Sequence, residues 1–167
     1  MNVWWLAIDT DYSSYEELKN RKVVAQGWPK IGDLSLLATL AKSGGKHKEP
    51  FLAAVNSLNE IAYGEEGHTS GVMWSLLSMK KGDLVVGIEG TTVKGLCQLQ
   101  IDAADSYDLM LPEHFNYAQT VCQGVTWHDW DTAKIGKAPV TPSKGIQGVK
   151  GLVKESSLVQ KAWASLA

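Results

Sequence analysis

Val3 to Ile8 is an uninterrupted apolar run that predicts a central strand, with Trp4 and Trp5 directed to its opposite faces, so that one of them belongs to the core. Asp9 to Ser14 is a polar turn, and Ser13 or Ser14 is placed to cap a short helix over Tyr15 to Asn20. Glu16 and Glu17 in its first turn suit the helix dipole. Residues 23 to 28 form a second strand that runs into the turn Gly27-Trp28-Pro29-Lys30-Ile31-Gly32, with an aromatic ring at its tip. Asp33 or Ser35 then caps the next helix. Leu34, Leu37, Ala38 and Ala41 share one face of that helix, which ends near Ser43-Gly44-Gly45.

Another helix is predicted from about Pro50 to Tyr63, with Leu52, Val55, Leu58, Asn59 and Ala62 at helical spacing. A shorter one covers Ser70 to Ser78. Strands follow at about 83 to 89, 93 to 102 and 116 to 127. The segment 135 to 149, rich in Gly and Pro, is expected to be irregular, and a closing helix over Ser156 to Leu166 is capped by Ser156 or Ser157. Too few residues join 83–89 to 93–102 for a crossover connection, which argues against an extended parallel sheet. The predicted class is mixed α+β: an antiparallel β-barrel with flanking helices.

At 167 residues and 44% apolar content the chain can bury one good core, and a single domain is expected over 1–167. No apolar run approaches the length of a membrane span, and the N-terminus lacks the pattern of a signal peptide. A soluble, cytoplasmic protein is the expectation. Cys97 and Cys122 are too few for a disulfide framework and are expected to be buried thiols. The net charge of −2 is unevenly spread, for six lysines from residue 132 onward face a single acid, Glu155. That asymmetry fits a phosphate-facing tail on an acidic body, and equally a solubilising surface.

The aromatic inventory points toward a ligand. Seven Trp and five Tyr against two Phe is an unusual way to fill a core, because each buried indole N–H or phenol O–H needs a partner. Trp74 and Trp163, on helices among apolar neighbours, are expected to be packing residues. Trp28 lies between glycine and proline in a turn, while Trp127, His128, Asp129 and Trp130 cluster where another strand ends. If the fold brings these strand ends together, the rings form a cage for one planar ligand. Stacking on an aromatic ring contributes roughly 1 to 3 kcal/mol per base, comparable to the few kcal/mol needed to extract a base from a duplex. Edge hydrogen bonds, from groups such as Asp33 and Ser35, would supply the rest and select the base.

Catalytic signatures are weak. Asp83, Glu89 and Lys94 form the best set for a metal-dependent nuclease, and their spacing is explained by a tight hairpin. Cys97, Cys122, His114 and His128 lack the close ligand pairs of a zinc site. Gly-x-Ser-x-Gly, Walker A and dinucleotide fingerprints are absent. No cofactor, metal or catalytic residue is expected, although a small enzyme acting on a nucleotide stands as a competing class.

Several segments resemble the EVE domains of the PUA-like superfamily: Trp5-Leu6-Ala7-Ile8, Tyr12-Ser13-Ser14-Tyr15-Glu16-Glu17-Leu18, Met79-Lys80-Lys81-Gly82-Asp83-Leu84-Val85-Val86 and Val93-Lys94-Gly95-Leu96-Cys97-Gln98-Leu99. Gly27 to Ser35 is most similar to the variant found in modification-dependent restriction systems. The resemblance implies a small β-barrel that flips out one modified base of double-stranded DNA (5-methylcytosine, 5-hydroxymethylcytosine or N6-methyladenine). Such a domain would be the sensor of an effector nuclease or NTPase domain or subunit. Trp28 would be a cage wall and Asp33 a polar contact. With Ser35, Tyr117, Trp127 and Trp130 these make the expected base-binding set. Lys46, Lys48, Lys134, Lys137 and Lys144 are the expected phosphate contacts. Cys122-Gln123-Gly124 stands where the restriction-type domains carry a basic stretch, so the lysine-rich tail is expected to make up that charge. The alternative implied is an RNA-binding PUA-like reader of a modified ribonucleotide, as in YTH relatives.

Overall fold

β1 (Val3–Ile8) is buried on both faces, and its alternation sorts its side chains into two cores. Leu6 and Ile8 join the larger core, with Trp4 packed at its margin; Val3 and Trp5 join the smaller one, with Ala7 beside them. The computed structural model describes residues 1–64, 67–111 and 116–166. Along them run α1 (Tyr15–Arg21), β2 (Val24–Gln26), α2 (Ser35–Lys42), α3 (Lys48–Tyr63), α4 (Thr69–Ser78), β3 (Leu84–Glu89) and β4 (Thr92–Gln98). There follow β5 (Asp108–Leu109), β6 (Gln119–Val121), β7 (His128–Asp129), α5 (Thr132–Ile135), β8 (Val149–Gly151) and α6 (Ser156–Ala164).

The strands form one sheet of order β7-β4-β3-β1-β8 and a second of order β2-β6-β5. β1 and β3 pair in parallel, Val3 opposite Leu84 through Ile8 opposite Glu89, and every other pairing is antiparallel. The class is α+β, as expected, but the predicted barrel is corrected. Among the described residues neither edge of the larger sheet, β7 nor β8, pairs with a strand of the smaller one, so both sheets are open. The short β3–β4 connection does enforce a hairpin. The parallel β1–β3 pair is possible because α1 to α4 and β2 lie between those strands, ample chain for a crossover.

α2, α3, α4 and the small sheet cover the larger core, while α5 and α6 cover the smaller one through Ile135, Val159 and Ala162. Tyr15 and Trp127 meet edge to face at 5.6 Å in the larger core. They fit against β3 and β4 because Gly87 and Gly95 present no side chain there: a Cβ on Gly95 would lie 2.1 Å from the Tyr15 hydroxyl. Ser14 caps α1 by accepting from the Glu17 N–H, as predicted. α6 has no such cap; Glu155 precedes it in the left-handed region, so neither Ser156 nor Ser157 has the expected role. Both cysteines are buried free thiols, and no described helix is long and apolar enough to cross a membrane.

Candidate functional site

A cleft of about 710 Å³ opens where the C-terminal end of β1, the turn after β2, the end of α3 and the start of α4 converge. The β3–β4 turn at Gly90, residues 116–117 and the segment 146–148 close its other sides. Trp28, Tyr12, Tyr63 and Tyr117 contribute aromatic surface, and among the described residues Asp9 is the one carboxylate and no lysine or arginine lines it. Such a lining suits an uncharged flat ligand with polar edges.

Trp28 is half-buried on this wall and has φ +54° and ψ +54°, a left-handed conformation uncommon for a bulky residue. Pro29, which starts a 3₁₀ turn over Pro29–Ile31, removes the right-handed helical alternative for the residue before it, and side-chain bonds hold the turn. The fully buried Gln119 side chain donates to the Trp28 carbonyl at 3.2 Å and to that of Gly32 at 3.1 Å, closing the turn at both ends. Gln119 in turn accepts from the Tyr107 hydroxyl, which itself accepts from the Leu34 N–H at 2.9 Å. Burial pushes the Tyr107 phenol up to about 12, against the lowering effect of that N–H.

Tyr117 is a second wall and is anchored at both ends. Its hydroxyl accepts from the Asp9 N–H at 2.7 Å and faces the Ala7 carbonyl at 3.3 Å, while its own carbonyl accepts from Arg21 Nη1 at 2.9 Å. Arg21 is held by Glu17 at 2.8 Å, and the second Glu17 oxygen accepts from Ser13. Burial raises the Tyr117 phenol to about 12, opposed by the Asp9 N–H. The floor depends on Gly148, whose carbonyl accepts from Ala7 N–H at 2.8 Å. At φ +68° a Cβ there would sit 2.3 Å from a Val72 methyl.

The remaining expected residues lie elsewhere. Asp33 is spent on its own turn: its carboxylate accepts from the Ser35 hydroxyl and N–H, which hold it below the usual carboxylate range, and neither residue lines the cleft. Trp127 is corrected to a core residue, 5% exposed, with its indole N–H donated to Val23 O at 2.9 Å. Trp130 packs against the smaller core on the other face of the large sheet and donates to Gly136 O at 3.1 Å. Trp74 and Trp163 are packing residues, edge to face with Phe51 and His128. Lys46, Lys48, Lys134, Lys137 and Lys144 are exposed, and none lines the cleft. Lys134 pairs with Asp131 at 3.7 Å, and Lys144 belongs to the strap whose next residues, 146–148, border the opening.

The nuclease-like set is dispersed. Asp83 is buried and accepts from Asn2 N–H, the Trp4 indole and Lys80 N–H, whereas Glu89, at the opposite end of β3, accepts from Tyr15 N–H and faces Lys94 at 3.9 Å. Among the described residues no cluster of His, Cys, Asp or Glu could hold a metal; His114 lies outside them. Sequence reasoning missed Tyr63, His68, Gln119 and Gly148. Two signals were present: Asn59 on the apolar face of α3, beside Tyr63 at i+4, and glutamine inside the buried runs of β2 and β6. Comparison with known protein families, with curated proteins and with solved structures finds no match to this chain.

Proposed function

We propose that this chain is a binding module that takes one modified base of duplex DNA, flipped out of its stack, into the Trp28 cleft. It is read as an EVE-like sensor of a restriction or defence system that acts with an effector nuclease or NTPase. The observation that carries the reading is Trp28 itself, a half-buried bulky side chain kept in a left-handed turn, where it lines the cleft while packing at the margin of the larger core. Backbone strain of this kind, of order 1–3 kcal/mol, persists where the surroundings over-determine it and concentrates at ligand sites. The largely aromatic lining, with Asp9 as its one carboxylate among the described residues, favours stacking, and the polar side chains of Thr10 and Gln147 offer edge contacts.

The test is a titration of short duplexes carrying cytosine, 5-methylcytosine, 5-hydroxymethylcytosine or N6-methyladenine at one position, with matching RNA. Preference for one modified duplex supports the reading. Equal affinity for all duplexes defeats it, and preference for a modified RNA transfers the cleft to a ribonucleotide ligand.

A further inference from the structure

No lysine or arginine lines the cleft among the described residues, so a permanent positive charge for the phosphate of a bound nucleotide has to come from the rim. We propose that Lys30 makes that contact, an assignment that rests on the base-binding reading above. Lys30 follows Trp28 and Pro29, both of which line the cleft, and is itself exposed. Its N–H donates to the Tyr63 hydroxyl at 3.1 Å, and its ammonium lies 5.7 Å from the centroid of the Tyr63 ring, another part of the lining. The two contacts couple the lysine to the aromatic wall from two directions.

Among the described residues the Lys30 ammonium forms no ion pair, unlike those of Lys19, Lys42, Lys80, Lys94 and Lys134. An exposed ammonium held over the half-buried Tyr63 ring keeps its N–H groups available to water or an incoming anion. Its contact with a phosphate would be charge-assisted and stronger than a neutral hydrogen bond. A lysine on a flexible stem can move from ring to phosphate without moving the backbone. A base against Trp28 leaves its sugar and phosphate toward the opening, where Lys30 is the cation tied to the wall. The tail lysines named from charge asymmetry differ: Lys134 lies in α5 and Lys137 just beyond it, beside elements that cover the opposite face of the large sheet, while Lys144 precedes the bordering residues 146–148 but, among the described residues, has no cation–ring contact to the aromatic wall.

The test compares wild type, Lys30→Gln and Lys30→Arg on the modified duplex that the wild type binds most tightly, between about 50 and 200 mM salt, with the free modified nucleoside as a second probe. Lys30→Gln is expected to lower the slope of log K against log salt by about 0.9, the share of one phosphate contact, and Lys30→Arg to restore it. Nucleoside binding should be unchanged in both variants. An unaltered slope in Lys30→Gln, with the wild type still binding, overturns the assignment alone. An equal loss on nucleoside and duplex also overturns it, assigning Lys30 to support of Tyr63. Absence of binding by the wild type to every duplex and RNA removes the base-binding reading and this assignment with it.

Discussion

The side-chain amide of Gln119 bridges the carbonyls of Trp28 and Gly32, so a single buried group on β6 closes the turn that presents Trp28 to the cleft. Gln119→Leu keeps the bulk but leaves the Gly32 carbonyl without this donor and the Tyr107 hydroxyl without its acceptor, while the Trp28 carbonyl keeps only its bond from the Ile31 N–H at 3.3 Å. Each buried group so orphaned costs about 1–3 kcal/mol. A lower urea midpoint at unchanged m-value is expected, together with weaker ligand binding because Trp28 is released from its left-handed conformation. An unchanged midpoint would show that the clamp is dispensable.

Two glycine substitutions should act in opposite directions. Gly95→Ala drives a methyl into the Tyr15 ring, which is buried and has its hydroxyl tied to Asp129 at 2.9 Å, so overpacking should cost about 1–3 kcal/mol. Gly71→Ala lies inside α4 with nothing within 4 Å of the added Cβ, and removing glycine's freedom there should add about 0.4–1 kcal/mol. Chemical denaturation of the two variants checks the pair.

Alkali should unfold the protein through its buried tyrosines. Tyr107 and Tyr117 are raised from 10.0 to about 12, mainly by burial, and Tyr15 is raised as well by burial and its bond to Asp129. Above pH 10 the unfolded chain binds fewer protons than the folded one, so this contribution is fully present below 10 and is lost as pH rises toward 12. Each tyrosine contributes a slope of no more than about 1.4 kcal/mol per pH unit. Stability against pH should fall less steeply in Tyr107→Phe than in wild type; identical slopes would contradict the assignment.

How much of this was legible in the sequence depends on what each signal reports. Periodicity and caps report local structure and burial, and they located β1, α1, α2, α4 and the β3–β4 hairpin to within a few residues. They do not report partners. The continuous run of β1 fits a strand covered on both sides, yet nothing local tells it to pair in parallel with β3 or to accept β8, which starts at the last residue of the stretch 135–149 expected to be irregular. Trp28 was legible because glycine and proline flank it, a local constraint. Trp127 and Trp130 share the same composition but are separated from Trp28 by pairings of high sequence separation: one enters the larger core through its bond to Val23, and the other packs on the opposite face. Asp33 and Ser35 were read as caps of α2, but the cap position is Leu34, which makes no side-chain cap bond, and Asp33 and Ser35 bond to each other in the turn before the helix.

The central claim is that the indole of Trp28 stacks on one base. Its most direct test is the affinity of Trp28→Ala, checked for retained fold by circular dichroism, on the duplex that wild type prefers. Loss of the stacking contribution, about 1–3 kcal/mol, predicts binding weaker by a factor of about 5 to 150. A folded variant that binds as tightly as wild type would contradict the account.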